Sequence, residues 1–393
     1  LDQLIEKIDI GGVSLIRAAA KNYYHVAVVT DIADYGSVLE ELEKRQEFPL
    51  EFKQKLALKA FRLTASYDAT IYKGLCSETG TAEEAGEDKI LPLRKVQDLR
   101  YGENPHQKAA LFLPPLEKQP FEQHSGKELS YNNLLDLDTL LRGCSVFQDQ
   151  CACTIVKHTT PCGTAHGRTP LDAFRKALEC DPISAFGGII GMTRCVDMAT
   201  AKVITETFFE IVAAPSYAEG VVEFFRDKKP NLRVLTITPG YAPKLQMTGN
   251  RCGYLVQEDM LPPLPKMNEG KWIGKARPDL WDDLIFAWKT AAITKSNAIV
   301  LVKNGAAVGI GGGFTNRVDA AEYALKLACE KAKGAVLASD AFFPFPDTVE
   351  LAAREEVSAV IQPGGSIKDK EIFDRAEELG ISMFVGSGRT FRH

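Results

Sequence analysis

The chain lacks most of the features that would assign a protein at a glance. Its 393 residues include nine cysteines but no Cys-x-x-Cys pair. That argues against a disulfide framework or a zinc ribbon and points to a reduced, cytoplasmic setting. No His-x-Glu occurs anywhere, and Pro161-Cys162 is followed by Gly163-Thr-Ala rather than a second thiol ligand, so the ligand set of the zinc deaminases is missing. The glycines never fall as Gly-x-Gly-x-x-Gly and no Gly-Lys-Ser/Thr follows a glycine loop, so neither the dinucleotide fingerprint nor the P-loop is present. A net charge of -5 gives no basis for broad nucleic-acid binding, although a local basic cluster can still hold an anionic substrate. No apolar run approaches membrane-spanning length, and no signal-peptide pattern is visible.

What is present is a globular composition, 45% hydrophobic and 25% charged, at a length suited to two or three domains. Residues 1–85 read as the tail of another domain, entered inside a running helix, so a preceding piece of the parent protein is expected. Val13 to Asn22 is helical in composition and His25 to Thr30 is predicted as a strand. Phe52, Leu56, Ala60, Leu63, Tyr67 and Ile71 recur at the spacing of a buried helix face. From residue 86 one pattern of strands and helices runs twice, over 86–237 and 276–393, joined by a proline-rich connector, 238–275. Lys157 and Lys303, Asp172 and Asp319, and Pro215 and Pro363 lie 146 to 148 residues apart, which internal duplication explains better than chance. Alternating strands and helices predict an α/β fold of two three-layer halves on mainly parallel sheets.

The stretch Thr154-Ile-Val-Lys-His-Thr-Thr-Pro-Cys-Gly163 is the first place to look for chemistry. An apolar run ends abruptly in Lys157-His158, and Pro161 and Gly163 then break it. A strand end followed by a turn is predicted, at the edge where open α/β sheets bind ligands. Neighbours on a strand point to opposite faces, so the two side chains can share a site only where the backbone turns. The alternative is a strand that ends in solvent with two ordinary polar residues.

Three further segments stand out. Gly309-Ile-Gly-Gly-Gly313 lets a ligand approach the backbone closely, with Arg317 and a helix start beyond it suited to an anion, or it is a tight connection with a solvated arginine. Leu99-Arg-Tyr-Gly-Glu-Asn-Pro-His-Gln107 has no helical or strand period, so it is either a binding loop, with Arg100 able to grip a phosphate as a fork, or a hydrated turn. Ser339-Asp-Ala-Phe-Phe-Pro-Phe-Pro-Asp347 offers a stacking wall beside carboxylates, unless its phenylalanines are simply core. Cys151 and Cys153 alternate with apolar strand residues and read as packing.

Taken together, LRYGENPHQ, TIVKHTTPCG, SAFGG, KSNAIVLVKNG, GIGGGFTNR, SDAFFPFPD and the terminal GRTFRH resemble the AICAR transformylase domain of the bifunctional purine biosynthesis family, with every motif in order from about residue 90 to the end. EKIDIGGVSLIRAAAKN at 6–22 is similar to the closing part of that family's IMP cyclohydrolase domain. The resemblance implies two cytidine-deaminase-like halves without zinc and an obligate homodimer whose active sites cross the interface. It also implies formyl transfer from 10-formyltetrahydrofolate, as co-substrate, to the 5-amino group of AICAR. Whether a monovalent cation is bound is left open, and neither nucleic acid nor membrane is implied as a partner.

Residue by residue, the resemblance makes His158 the base, Lys157 the stabiliser of the developing oxyanion, and Asn297 a neighbour of the reacting amine. Arg100, Tyr101, Gly187, Glu210 and Arg389 would hold the nucleotide, Glu210 standing where relatives carry Asp. Arg317, Phe342, Asp347, Ser366 and Ile367 would hold the folate, with Phe342 against the pterin. Asp9 and Lys21 match cyclohydrolase residues, whereas the Lys-Thr-Leu-His-Pro and Asn-Leu-Tyr-Pro motifs of that site do not occur in this chain. Two rivals share parts of the pattern: a zinc-free deaminase relative, which would need an activated water with no metal to make it, and a noncatalytic nucleotide-binding scaffold, which would need neither Lys157 nor His158.

Overall fold

Alanine and leucine at helical spacing organise the first of two units in this computed structural model, which describes every residue except 46, 81–89, 116, 239–244 and 387. The unit comprises Leu1–Leu99 with Ala109–Gln119. It holds helices α1 (Asp2–Glu6), α2 (Gly11–Lys21), α3 (Tyr35–Lys44) and α4 (Leu50–Thr79), and a ribbon of β1 (Arg94–Leu99) with β2 (Ala109–Leu113). Ala20 of α2 meets Ala57 and Ala60 of α4, with Ile16, Tyr23 and Val28 packed around them. Small side chains there let the two helix backbones approach closely. Leu56 and Ala60 are buried as the periodicity requires, but Leu63 is 46% exposed. The predicted strand His25–Thr30 is a second correction: the segment forms no ladder among the described residues. The boundary expected at residue 85 lies outside the described residues.

The second unit, Arg100–Lys108 with Pro120–His393, is built on one twelve-stranded sheet. Its first strands are β3 (Phe121–Ser125), β4 (Ala152–Lys157), β5 (Thr160–His166), β6 (Ile189–Met192), β7 (Ile211–Ala214) and β8 (Arg233–Ile237). An exposed hairpin of β9 (Leu245–Asn250) and β10 (Gly253–Glu258) follows, outside the sheet. The sheet continues with β11 (Lys271–Ile273), β12 (Ile299–Lys303), β13 (Ala306–Gly311), β14 (Val336–Ser339), β15 (Ala359–Gln362) and β16 (Ser382–Val385). The segment expected as a connector, 238–275, therefore carries three short strands.

Across the sheet the order is β11-β16-β15-β14-β12-β13-β5-β4-β6-β7-β8-β3. Read outward from the central β13–β5 contact, a hairpin, three parallel strands and an antiparallel edge strand follow in the same succession on both sides. The sheet is mixed, which corrects the mainly parallel expectation. Only β6-β7-β8 and β14-β15-β16 run parallel, and the hairpins β4–β5 and β12–β13 are antiparallel.

Period-two alternation sends neighbouring strand residues into different cores. Ile190, Val212 and Val234 meet Phe174 and Phe225, whereas Ile189, Ala213 and Leu235 meet Leu137 and Leu140. The first face is covered by α6 (Pro170–Leu178), α8 (Met198–Ile204) and α9 (Val221–Lys228), and the second by α5 (Tyr131–Val146). A short α7 (Pro182–Ala185) leads into β6. In the other half α10 (Trp281–Ile293) covers one face and α11 (Arg317–Ala328), α12 (Asp347–Arg354) and α13 (Asp369–Glu378) the other. The glycine run is explained here. Gly309 and Gly311 lie in β13, where an added Cβ would come 2.0 Å from the Ala324 carbonyl oxygen and 2.1 Å from that of Ala320. What approaches the backbone at these two positions is helix α11, whereas Gly312 lines a cavity described below.

Candidate active site

Lys157 and His158 do not end a strand that runs into solvent. They form one side of a two-residue hairpin, with Lys157 paired to Thr160 and His158 and Thr159 at the tip with φ of 52° and 60°. Pro161 and Gly163, read as breakers, are inside β5, and Pro161 is accommodated where the register shifts between Ile155 and Val156. Positive φ at both tip residues is the geometry that matches the strand twist, and Asn-Gly is the pair that ordinarily supplies it. A β-branched threonine there is strained, by roughly 1–3 kcal/mol. Helix α5 supplies the restraint: the Thr159 N–H donates to Asp136 Oδ1 at 2.6 Å, and Thr139 Oγ1 donates to the Thr159 carbonyl at 3.2 Å.

The hairpin tip projects at the edge formed by the N-termini of β6, β7 and β8, since β4 runs antiparallel to β6. The site is thus at the start of the parallel strands, not beyond their C-termini as the sequence suggested. A cavity of about 670 Å³ opens here, and Arg100, Tyr101, Lys157, His158, Gly187 and Glu210 all line it. These six come from four separate stretches of the sequence. Gly187 has φ 76°, and the Lys157 ammonium donates to the neighbouring Phe186 carbonyl at 2.7 Å, which aims the side chain along the cavity wall.

Several lining residues carried no motif. Ser130 and Asn133 cap α5 reciprocally, and the Asn133 amide then donates to Glu210 Oε2 at 2.8 Å. Arg233, the first residue of β8, donates from Nε and Nη2 to the Glu128 carbonyl at 3.0 and 2.9 Å and from Nη1 to Glu210 at 3.3 Å. Burial pushes the Arg233 guanidinium down from its ordinary pKa, Glu210 opposes that, and the like charge of Arg100 adds to it. Two guanidinium groups that sense each other across this cavity favour an anion between them. Asp136 is raised by burial, against the Thr159 amide and the charge of His158.

On the other side of the same tip lies a cavity of about 490 Å³, lined by Lys157, His158, Cys162, Asp181, Phe314 and Tyr323 among others. Burial raises the Cys162 thiol to about 12, which removes it as a nucleophile near neutrality. Asn297 lies behind this cavity, its side-chain amide donating to the Phe314 carbonyl at 3.0 Å.

The remaining expected residues are placed apart from the first cavity. Arg317 is 8% exposed and donates to Asp340 Oδ1 at 2.7 Å and Ser339 Oγ at 2.9 Å. Phe342 and Phe345 are exposed while Phe343 is core. Asp347 opens α12, and its carboxylate accepts from the Thr348 amide. The loop of Ser366 and the fully exposed Ile367 approaches the same region, because Lys368 sits over the Phe345 ring at 4.4 Å. The Arg389 guanidinium lies 4.9 Å from the Phe391 ring centroid. Asp9, which accepts from the Gly12 amide, and the exposed Lys21 belong to the first unit. Among the described residues no group of three His, Cys, Asp or Glu is arranged to hold a metal ion, and no helix is long and apolar enough to cross a membrane.

An imidazole, ammonium and guanidinium groups and carboxylates therefore line one cavity of an α/β fold, a set able to receive a small anion. Comparison with known proteins carries this to a family. A family model described as AICARFT/IMPCHase bienzyme matches residues 19–327. The bifunctional purine biosynthesis protein PurH of Persephonella marina is 45% identical over 411 aligned positions, covering 100% of this chain and 78% of that protein. PurH of Halalkalibacterium halodurans is 46% identical over 397 positions and PurH of Aquifex aeolicus 43% over 398, each covering 99% of this chain and 77% of the relative. The chain belongs to the AICARFT/IMPCHase bienzyme family.

Proposed function

We propose that this chain catalyses the formyl transfer of that bienzyme: 10-formyltetrahydrofolate donates its formyl group to the 5-amino group of AICAR in purine biosynthesis. One observation carries the reading, namely that six residues expected from the resemblance line a single cavity of about 670 Å³. The AICAR amine is a weak nucleophile because its lone pair is delocalised into the ring and carboxamide. His158 takes its proton as the nitrogen bonds to the formyl carbon. Lys157 faces the formyl oxygen as that oxygen becomes negative, and collapse of the tetrahedral intermediate expels the folate nitrogen, which takes up a proton. Arg100 and Arg233 suit the phosphate, and Glu210, held by Asn133 and Arg233, suits a sugar hydroxyl.

The folate set of Arg317, Phe342, Asp347, Ser366 and Ile367 lies outside this cavity within one chain, as does Arg389. An active site completed across a homodimer accounts for that. A duplicated, deaminase-like architecture without zinc accounts for the succession of strands around the β13–β5 contact. The test is formation of tetrahydrofolate by the purified chain with AICAR and 10-formyltetrahydrofolate. Turnover is expected, and its absence at saturating substrates in the dimeric protein would favour a noncatalytic scaffold.

A further inference from the structure

The base assigned above sits on a backbone that its own sequence disfavours, and the structure shows what holds it there. His158 and Thr159 both have positive φ, and neither is the glycine or asparagine that such a turn recruits. Asp136, one helical turn into α5, accepts the Thr159 N–H at 2.6 Å and also lines the cavity. In the other half of the sheet the equivalent tip is Asn304-Gly305, and Asp283 of α10 accepts both of its amides, at 2.8 and 2.7 Å.

We propose that Asp136 is the positioning residue of the catalytic turn: its carboxylate, acting as an acceptor for the Thr159 amide, fixes the left-handed backbone that aims the His158 imidazole into the cavity. Asp136 touches no reacting atom in this scheme, and the proposal rests on the formyl-transfer assignment of His158. Burial without a full counter-charge raises the Asp136 pKa, so the carboxylate is held where solvation alone would not favour it. A misplacement of about 1 Å can cost roughly 10²-fold in rate, so small changes in the tip geometry matter.

Three variants and two readouts test this. Asp136→Ala is expected to lower kcat by roughly 10- to 100-fold with the KM for AICAR little changed. Asp136→Asn keeps an acceptor oxygen and is expected to retain most of kcat. Adding Thr159→Gly to Asp136→Ala gives the tip a residue that adopts positive φ unaided, so kcat is expected to recover most of the loss, which a general loss of stability would not allow. Independently of any reaction, the Thr159 amide should exchange with solvent at least about tenfold faster in Asp136→Ala than in the wild type, on the reasoning that a lost hydrogen bond opens locally. The proposal is overturned by near-wild-type kcat in Asp136→Ala, by Asp136→Asn failing as badly as alanine, or by unchanged exchange at Thr159. Should the wild type transfer no formyl group while the exchange response holds, the assigned reaction fails and the positioning role stands.

Discussion

Two hairpin tips in one sheet share a backbone and differ in nearly everything built around it. At each, a lysine precedes the turn and donates to a main-chain carbonyl, Lys157 to Phe186 at 2.7 Å and Lys303 to Lys333 at 2.6 Å. A glycine follows each of those carbonyls, with φ of 76° at Gly187 and 79° at Gly334. Each turn is held by an aspartate from the covering helix, Asp136 or Asp283. The second tip is Asn304-Gly305, the pair that folds most readily into this turn, whereas the first is His158-Thr159. Where the first half places Glu210 just before β7 and Arg233 at the start of β8, the second places Ser358 and Ser382 at the same registers. The difference teaches that the sheet supplies a position and the side chains decide whether it becomes a site. Of the two tips, the one that gives up turn propensity is the one that carries an imidazole.

The largest expected effect removes that imidazole. His158→Ala should lower kcat by about 10²- to 10⁴-fold and Lys157→Ala by about 10²- to 10³-fold, with folding intact because both are polar side chains at a turn outside the core. If both act on one transition state, the double variant should be far less impaired than the product of the two losses. Steady-state formyl transfer at saturating AICAR and folate decides it. Near-wild-type kcat in His158→Ala would erase the distinction between the tips.

A smaller effect is expected at Arg233, which the second half replaces with serine. Lysine there keeps the charge but cannot span Glu128 and Glu210 together. Hydrogen bonds to charged groups contribute about 1.5–3 kcal/mol, so Arg233→Lys should raise the KM for AICAR by roughly 10-fold or more while kcat falls less. An unchanged KM would mean that the two guanidinium groups do not share an anion.

How much of this was legible in the sequence depended on whether a residue's partners lie near it in the chain. Lys157-His158, Gly187 and the Arg100-Tyr101 loop sit in short motifs with broken periodicity, so they could be found. Asp136 is hidden in Leu-Leu-Asp-Leu-Asp-Thr, which reads as an ordinary amphipathic helix, and its partner Thr159 is 23 residues on. Arg233 opens an apolar strand, and the Glu128 carbonyl that fixes it is 105 residues away. One signal was available: Asp136 and Asp283 are separated by nearly the same interval as Lys157 and Lys303. The sheet direction was misread because a His-Thr tip carries no glycine to announce a hairpin, while Pro161 and Gly163 advertise a break that β5 absorbs. Gly163 is there for packing, since an added Cβ would come 2.0 Å from the Ala177 carbonyl oxygen of α6.

Asp136 also sets a pH dependence. Its folded pKa is raised above the ordinary 3.8, chiefly by burial, so the folded state holds the proton more tightly than the unfolded chain. The stabilisation from that proton is fully present below the unfolded value and is lost as pH rises through the folded value. Asp136→Asn cannot titrate, so its Tm relative to wild type should be higher at pH 7 than near pH 3.5, whatever the constant offset between the two proteins. No such trend would mean that solvent reaches the carboxylate freely. The same comparison with Asp283→Asn reports whether the second support behaves alike.

The smallest expected effect is the control. Lys303→Ala truncates the lysine that corresponds to Lys157, removing a contact to the Lys333 carbonyl from an exposed ammonium. Beside it Lys333 pairs with Glu356 at 2.8 Å, both side chains largely in solvent, so the region loses little charge balance. No base follows Lys303, because Asn304-Gly305 offers neither an imidazole nor a carboxylate, and Ser358 and Ser382 stand at the registers of Glu210 and Arg233. The kcat for formyl transfer should therefore stay within about twofold of wild type, since surface changes away from special features usually stay within about 0.5 kcal/mol. Asn304→His, which puts an imidazole on the second tip, should likewise create no transfer activity in a His158→Ala background. A Lys303→Ala variant more damaging than Lys157→Ala, or rescue by Asn304→His, would place the chemistry at the wrong end of the sheet.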